Sequence, residues 1–513
     1  MLVDTQVVGN IYRDSVSLMR ISSTLCDLPD VSQAYCVMAT QTNLDLLRDS
    51  HLLIDHVDAG ANDILIAVQA RDRKSLDKAF AIARESIKVT EIQSGLGKSK
   101  NLLPRSIEMA IDIENQSNMV VISTPGPYAA SEALKALSHG LNVMIFSDNV
   151  SLADEVLLKR KTQNNDLLVI GPDCGTAIID GIPLGFANAV ARGPIGLVGA
   201  SGTGLQQLAS LIDRSGAGIS QAIGVGSRDL SEQVCGLSTL KVLRHFRNDP
   251  DTNVIVVVSK PPHPKARDLI LRECDALGKP VVACLLGDES VNNRTENVHI
   301  VSTLESAARK ALEVAGRSPD WETYEPLQIA ALRDIGSNRR YVRGLYCGGT
   351  FCLEAFQILR TIINPLYTNV SSDSTYQLTD LWKSKGHVLI DLGDDIFTRG
   401  RPHPMIDHRL RNERLRQEAL DPETAVIVFD IVLGTGSNPD PVEEMTPILK
   451  EIGKEAQLTG SSPLLCSFVC GTENDPQSFS RQCEALRHLG VSVFNSSTEA
   501  ARAVGQILES KNE

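Results

Sequence analysis

The sequence predicts a multidomain α/β protein, and three observations support this prediction. The chain has 513 residues, a length that indicates three or four domains. Short runs rich in valine and isoleucine alternate with amphipathic segments, which is typical of parallel sheets covered by helices. Two of the runs end in small-residue turns that lead directly into a helix. Doubly wound parallel sheets are therefore expected over most of the chain.

The first domain, residues 1–95, is predicted to be a small α/β sandwich because strand-forming runs alternate with amphipathic ones. The predicted strands are 5–11, 31–39 and 63–69, and the predicted helices are 15–28, 43–48 and 75–87. These residues indicate no chemistry. The polar stretch 93–100 that follows is interpreted as a linker.

The remaining chain is predicted to form three doubly wound units, at 117–192, 193–316 and 340–513. In the second domain the predicted strands are 119–123, 142–146 and 167–170, and the helices are 129–138 and 152–161. In the third the strands are 195–198, 219–223, 254–258 and 281–285, and the helices are 205–214, 231–246, 266–277 and 304–315. In the fourth the strands are 342–347, 388–392, 425–432, 464–469 and 491–494.

Composition and charge exclude several classes of protein. The chain has 63 acidic and 50 basic residues, a net charge of −13, and no long basic run, so nucleic-acid binding is disfavoured. No apolar stretch approaches the ~20 residues that a membrane span needs. The N-terminus lacks the features of a secretory signal, and the 11 cysteines follow no framework spacing. We therefore expect a cytoplasmic protein with buried thiols and no metal site.

The turn after the predicted strand 195–198 is the first candidate binding site. Its residues Ser201, Gly202, Thr203 and Gly204 lead straight into a helix. Small residues let the backbone approach an anion, and the first N–H groups of a helix attract negative charge. A phosphate or carboxylate is expected there. The alternative is a tight turn in which a hydroxyl only caps the helix.

A second turn of the same kind follows the predicted strand 342–347. Its candidate binding residues are Gly348, Gly349 and Thr350. Cys347 precedes the helix, which could lower the pKa of its thiol, but we interpret it as inert. An ordinary strand-end turn is the alternative here as well.

Ionisable residues are concentrated in an insert at 394–408. Arg399 and Arg401 could grip a carboxylate or phosphate with two hydrogen bonds each, and His403 could exchange a proton near neutral pH. We take these three as the candidate catalytic residues. Two alternatives stay open: a salt-bridged surface loop or subunit contact, and a divalent cation held by Asp394 and Asp395.

Several motifs carry a resemblance to a known family. Thr-Pro-Gly-Pro at 124–127, Ile-Gly-Pro-Asp-Cys-Gly at 170–175 and Gly-Leu-Val-Gly-Ala-Ser-Gly-Thr at 196–203 occur in the order found in the succinyl-CoA synthetase alpha subunit. The segments 346–350 and 388–395 are similar to the carboligase domain of the beta subunit. The whole chain, including 394–407, resembles the FdrA family of acyl-CoA synthetase-like proteins.

The resemblance implies a fold and a range of functions. It implies a Rossmann-like CoA-binding-type unit at 117–192 and two flavodoxin-like succinyl-CoA synthetase-type domains after it. It also implies an enzyme component that handles a small carboxylate, acyl phosphate or acyl-CoA, as part of an oligomer with partner subunits. The second interpretation is an FdrA-type subunit of an oxamate carbamoyltransferase in allantoin and purine catabolism, with a carbamoyl substrate. A non-catalytic scaffold or ligand sensor is the third.

The chain departs from the synthetase pattern at defined places. The loop at 287–294 lacks the phosphohistidine motif, and no Gly-Phe-Thr-Gly loop precedes residue 118, which puts CoA binding in doubt. The nucleotide-binding ATP-grasp domain is absent, so no nucleotide site is expected in this chain. The resemblance therefore implies CoA or an acyl phosphate as possible ligands and an activity that needs other subunits.

Overall fold

A computed structural model describes residues 2–11, 13, 15–49, 52, 53, 57–93, 104–288, 297–319, 321, 338–398 and 401–512. The described chain forms two compact units. The first contains Met1–Asn115 together with the short segment Asp395–His403, and the second contains Gln116–Asp394 and Pro404–Glu513. Most of the predicted linker at 93–100 lies outside the described residues.

The first unit is built on a three-stranded antiparallel sheet in the order β1-β3-β2. Its elements are β1 (Leu2–Val8), α1 (Ser15–Cys26), β2 (Val31–Met38), α2 (Gln41–Asp49), β3 (Ile64–Ala70), α3 (Arg73–Gln93) and α4 (Ile107–Ile113). The central strand β3 is buried on both faces. Ile66 and Val68 pack with α1 and α3, whereas Leu65 and Ala67 pack with α2, as the two-residue period of a strand requires.

The second unit begins with a small parallel sheet in the order β4-β5-β6. Its elements are β4 (Met119–Ile122), α5 (Gly126–Ser138), β5 (Asn142–Ile145), α6 (Leu152–Lys161) and β6 (Val169–Ile170). Buried Lys159 on α6 donates hydrogen bonds to Glu155, to the carbonyl of Val225 and to Asp229 at 2.8–2.9 Å. These bonds tie the small sheet to the next one.

A seven-stranded sheet follows, in the order β13-β12-β11-β9-β10-β7-β8. Its strands are β7 (Thr176–Ile179), β8 (Ile182–Gly185), β9 (Arg192–Ala200), β10 (Ile219–Gly224), β11 (Val254–Ser259), β12 (Val281–Leu285) and β13 (Val298–Val301). Its helices are α7 (Gly202–Arg214), α8 (Leu237–Asn248), α9 (Pro264–Asp275) and α10 (Leu304–Val314). The strands β9 to β13 are parallel, and β7 and β8 form an antiparallel hairpin at one edge.

A six-stranded parallel sheet completes the second unit, in the order β15-β16-β14-β17-β18-β19. Its strands are β14 (Tyr341–Tyr346), β15 (Leu366–Thr368), β16 (His387–Asp391), β17 (Thr424–Val432), β18 (Leu464–Cys470) and β19 (Ser492–Phe494). The helices are α11 (Gly349–Leu359), α13 (Arg409–Leu420), α14 (Pro441–Thr459), α15 (Phe479–His488) and α16 (Ser497–Asn512), while α12 (Asp395–Thr398) belongs to the first unit.

The two larger sheets share one hydrophobic core. Leu208 of α7, Ala308 of α10, Phe351 of α11 and Val504 of α16 are all buried in it. Because these helices pack together between the sheets, the turns that begin α7 and α11 come to lie side by side. This packing positions the candidate site.

A second contact joins the same two sheets near β8. Asp475, after β18, accepts hydrogen bonds from the Ala189 N–H at 2.7 Å and from the Asn188 side-chain amide at 2.8 Å. Ala187 also forms an isolated antiparallel bridge with Thr435. We name residues 187–189 with Thr435 and Asp475 the inter-sheet clasp.

Several predicted boundaries are corrected by the structure. The first strand starts at Leu2 and ends at Val8, because Gly9 and Asn10 turn the chain, with Asn10 at a φ of 56°. The helix predicted at 231–246 begins only at Leu237, because Cys235 and Gly236 have φ values of 58° and 76°. The hairpin β7–β8 and strand β15 were not predicted.

None of the described helices is long and apolar enough to cross a membrane.

Candidate active site

The turn between β9 and α7 is held by its own residues. Ser201 is the helix N-cap, and its Oγ accepts a hydrogen bond from the Gly204 N–H at 3.1 Å. The Leu205 N–H donates to the Ser201 carbonyl at 3.1 Å. The N–H groups of Gly202 and Thr203 come before these and belong to the first helical turn, which has no intrahelical acceptors. They are therefore suited to bind an anion.

Glycine is required in this turn for space. A Cβ at Gly204 would overlap Ser201 Oγ, and a Cβ at Gly199 would lie 2.6 Å from the Val258 carbonyl oxygen. A Cβ at Gly202 would meet Thr176 Oγ1 at 3.2 Å, which is tight but not an overlap. The small residues thus allow both the cap and the approach of the neighbouring strand β11.

The turn between β14 and α11 is held by a distant carboxylate. Gly348 is the N-cap and has no side chain to cap the helix. Asp430 of β17 instead accepts hydrogen bonds from the N–H groups of Cys347 and Gly348 at 2.8 and 2.9 Å. Arg411 lies 3.3 Å from Asp430 Oδ1. Burial raises the pKa of Asp430, and Arg411 opposes that rise.

The two turns meet. Ser201 Oγ and Thr350 Oγ1 form a buried hydrogen bond of 2.7 Å. A Cβ at Gly348 would lie 2.8 Å from Thr203 Cγ2, so the Thr203 side chain fits against residue 348 because that residue is glycine. The structure therefore brings together the seven predicted binding residues, Ser201, Gly202, Thr203, Gly204, Gly348, Gly349 and Thr350. Their binding of a ligand stays a prediction.

Two charged residues that the sequence did not single out lie at the same place. Lys260 follows β11 and Asp391 ends β16, and both reach the first residue of α11, Gly349. The sequence signal for each was its position at the carboxyl end of a parallel strand. Lys260 is followed by two prolines, which indicate only a rigid turn, and nothing in the sequence shows that it lies near Asp391.

The described predicted catalytic residues belong to a different compact unit from the two turns. Arg399 lies outside the described residues. Arg401, which is exposed, and His403, which is partly buried, belong to the first compact unit, whereas the two turns belong to the second. Burial lowers the pKa of His403 to about 4, so this side chain is neutral at pH 7. The catalytic role of these residues stays a prediction.

Other side chains have structural partners. Burial holds the pKa of the Cys347 thiol well above its usual value, so it remains protonated, as expected for an inert thiol. His408 is buried, with Nδ1 3.1 Å from Arg411 Nη2. Asp394 and Asp395 are not part of any metal-binding cluster of His, Cys, Asp or Glu within the described ranges.

Three family models match parts of the chain. A model described as "CoA-ligase" matches residues 345–507, and one described as "CoA binding domain" matches 191–287. A third, "AllF, heavy metal-associated domain", matches 1–101. The chain thus contains a CoA-binding-type and a CoA-ligase-type domain, and each contributes one of the two turns. The predicted domain boundaries stay a prediction.

A relative covers almost the whole chain. The Uncharacterized protein YahF of Escherichia coli (strain K12) is 40% identical over 503 residues, which are 97% of this chain and 97% of YahF. The chain belongs to the YahF family. Within this YahF-family chain, 212 residues are also 27% identical to the Succinate--CoA ligase [ADP-forming] subunit alpha of Methanothermobacter thermautotrophicus, over 40% of this chain and 70% of that protein.

Solved structures resemble the YahF-family chain only distantly. ATP citrate lyase from Methanothrix soehngenii, in complex with citrate and coenzyme A, is 18% identical with a TM-score of 0.33. That match covers 41% of this chain and 37% of the lyase chain. PH0766 from Pyrococcus horikoshii OT3 is 13% identical with a TM-score of 0.34, over 81% of this chain and 88% of that one. At these TM-scores the likeness decides nothing about function.

The described residues of the N-terminal domain do not form a heavy-metal site. Thiolates are strong ligands for soft metals, and residues 1–101 contain two cysteines, Cys26 and Cys36. Burial raises the pKa of Cys36 to about 12, which keeps it protonated. The Cys26 thiol is directed at the carbonyl of Ala34, 3.6 Å away. No cluster of three or more metal-binding side chains occurs in the described part of this domain.

Proposed function

We propose that this chain is the acyl-handling component of an acyl-CoA ligase-like enzyme that works with partner subunits. The first turns of α7 and α11 would hold a small carboxylate or acyl phosphate between them. The Ser201–Thr350 hydrogen bond carries this proposal, because it brings two helix N-termini from different domains to one point. The CoA thiol would then be the acceptor of the acyl group, in line with the two domain types.

The family resemblance refines the proposal. The segment 394–407 resembles the FdrA family, and the three matching domain types do not include the ATP-grasp domain of the synthetases. The purified chain alone should therefore form no acyl-CoA from ATP, CoA and succinate. Product at ordinary enzyme rates of ~1–10³ per second would contradict this reading.

Anion binding is the direct test of the proposed site. Gly202→Val should weaken the binding of sulfate or acetyl phosphate by at least about tenfold, because the β-branched side chain blocks the N–H groups of the turn. Calorimetry measures the affinity and thermal melting reports the fold. Gly453→Val is the matched control, since a Cβ at Gly453 in α14 meets nothing within 4 Å. If a folded Gly202→Val variant binds the anion with unchanged affinity, the turn has a structural role and does not bind the anion.

A second candidate function keeps the site and changes the substrate. FdrA-type proteins have been associated with oxamate carbamoyl transfer, and carbamoyl phosphate is itself a small acyl phosphate. The observation that favours this candidate is the segment between β12 and β13, residues 286–297, which contains no histidine to carry a phosphoryl group. Phosphorolytic carbamoyl transfer needs neither that histidine nor an ATP-grasp domain.

The two candidates predict different reactions. With its partner subunits, the chain should release phosphate from acetyl or succinyl phosphate only when CoA is present, if it is a ligase component. It should release phosphate from carbamoyl phosphate only when oxamate is present, if it is a carbamoyltransferase component. Anion binding without either reaction would support the third reading, a ligand sensor.

The role proposed for Arg401 and His403 needs its own test. Arg401→Ala should lower turnover by ~10²–10³ if the guanidinium stabilises charge in the transition state, and Arg401→Lys should recover only part of it. A surface ion pair is worth about 0–1 kcal/mol, so both variants would then leave turnover within a few-fold of the parent. That second outcome would remove the insert from the active site.

A further inference from the structure

A lysine and an aspartic acid both lie beside the first residue of α11, although they come from different sheets. Lys260 follows β11 of the seven-stranded sheet, and Asp391 is the last residue of β16 in the six-stranded sheet. A Cβ at Gly349 would overlap Asp391 Oδ2 and would lie 3.1 Å from Lys260 Nζ. Both charged ends therefore lie next to Gly349, the first residue of α11.

The Asp391 side chain is fixed in this position. Its N–H donates to Asn369 Oδ1 and its carbonyl accepts from the Asn369 side-chain amide, both at 2.9 Å. Asp391 Oδ1 accepts the Gly393 N–H at 2.9 Å, and only 8% of the residue is exposed. One carboxyl oxygen is thus bound by the protein, and the other faces the helix N-terminus.

The charged and titratable groups around Asp391 come from five places in the fold. They are Lys260 after β11, Asp394 in the loop after β16, Asp430 on β17, the Cys347 thiol in the turn after β14 and the Cys352 thiol on α11. Burial raises the pKa of Asp391 to about 7, Lys260 opposes the rise, and Asp394 and Asp430 add to it. Asp391 can therefore exchange a proton near neutral pH, which an exposed aspartate cannot.

We propose that Lys260 binds the phosphate of the acyl donor and that Asp391 carries the proton of the acceptor. This inference rests on the proposed function. The acceptor sulfur or nitrogen attacks the acyl carbon, the bond from that carbon to the phosphate oxygen breaks, and phosphate leaves with the electron pair. The acceptor proton passes to the Asp391 carboxylate and then to the departing phosphate, so nothing is oxidised or reduced.

Sulfate binding tests the pair without any turnover. Sulfate keeps its charge between about pH 5.5 and about pH 8.5, whereas Asp391 ionises in that interval and then repels it. The parent should bind sulfate about tenfold more weakly at the higher pH. Asp391→Asn should remove this pH dependence, and Lys260→Gln should weaken binding at both pH values. Calorimetry gives each affinity, and Asp373→Asn, at an exposed carboxylate, should behave as the parent.

The outcomes separate the pair from the proposed function. If sulfate binding by Asp391→Asn still depends on pH, or if Lys260→Gln binds sulfate as tightly as the parent, the roles proposed for Lys260 and Asp391 are wrong. The proposed anion site would be unaffected by either result. If the parent binds no sulfate at either pH, the proposed function itself fails. Lys260 is exposed, so its variant should fold even if Asp391→Asn does not.

Turnover with the partner subunits gives a second readout. Asp391→Asn should lower kcat by ~10²–10⁴ and abolish the fall of kcat below about pH 7, because no carboxylate remains to accept the proton. Lys260→Gln should mainly raise KM for the acyl phosphate, and Lys260→Arg should restore most of it. A pH profile of kcat that Asp391→Asn leaves unchanged would overturn the proton-carrying role.

Discussion

The two turns of the candidate site do the same job by opposite means. The β9–α7 turn is capped locally by the hydroxyl of Ser201, whereas the β14–α11 turn has glycine at its N-cap and is held by Asp430, a buried carboxylate from another strand. A second carboxyl group, Asp391, lies against Gly349 at the start of α11. One turn therefore has a neutral support and the other an ionisable one.

This difference teaches that two helix N-termini of similar sequence need not respond alike to pH or to mutation. A hydroxyl cap contributes a fixed and modest stabilisation. A buried, paired carboxylate gives little net stabilisation, because desolvation offsets the attraction, but loss of one partner costs several kcal/mol. The β14–α11 turn should therefore respond more strongly to pH and to mutation than the β9–α7 turn. The variants below measure the difference.

Removal of Asp430 should have the largest effect. Asp430→Ala leaves buried Arg411 without its carboxylate and two N–H groups without their acceptor, at a cost of about 3–5 kcal/mol. Urea unfolding measures the loss. Adding Arg411→Leu to Asp430→Ala should recover part of it, since no buried charge then remains. If Asp430→Ala lowers the free energy of unfolding by less than about 1 kcal/mol, the buried carboxylate stabilises its turn no more than a hydroxyl cap does.

Asp391→Asn should change how stability depends on pH. An unfolded aspartate ionises near 3.8 and folded Asp391 near 7, so between these values the folded protein keeps a proton that the unfolded chain releases. Stability of the parent should therefore fall as the pH rises through that window, by about 4 kcal/mol in all. Asp391→Asn should lack this fall. Urea midpoints at about pH 4 and pH 8 that shift equally in both proteins would contradict it.

Equivalent glycines in the two turns should differ in their tolerance of alanine. Gly349→Ala places a methyl group on Asp391 Oδ2 and should cost about 1–3 kcal/mol. Gly202→Ala meets Thr176 Oγ1 at 3.2 Å and should change the free energy of unfolding by less than about 1 kcal/mol. Thermal melting compares the two. Equal shifts would show that crowding by Asp391 does not distinguish the turns.

The bond between the turns should have the smallest effect. Ser201→Ala removes both a helix cap and the bond to Thr350, so it should cost about 1–2 kcal/mol, and Thr350→Val about 1 kcal/mol. In a double-mutant cycle the two losses should add to more than the double variant shows, with a coupling near 0.5–1 kcal/mol. Strict additivity would mean that the hydroxyls do not stabilise the meeting of the helices.

The sequence predicted most of the long parallel strands because runs such as β11 and β17 are buried along their whole length. It missed the hairpin β7–β8 and strand β15, which have only three or four residues each. A run as short as Ile182–Gly185, with a proline and a terminal glycine, gives no periodic signal.

The candidate site was predicted only where its signals are local. Both turns were found because strand, small residues and helix follow one another directly in the chain. Lys260 and Asp391 belong to different sheets, so their meeting depends on how the helices between the sheets pack. The insert at 394–408 shows the reverse case, since its charge pattern is conspicuous but the structure assigns Arg401 and His403 to the other compact unit.

The inter-sheet clasp joins the two sheets that carry the turns within one polypeptide. This affects how specific activity should depend on protein concentration. Because both turns are parts of one polypeptide, each meets the other at an effective concentration that dilution of the protein cannot lower. No translational entropy is lost each time the two turns come together, in contrast to halves on separate subunits. A specific activity that falls on dilution would therefore report the loss of a partner subunit, while the two turns would stay assembled in every molecule.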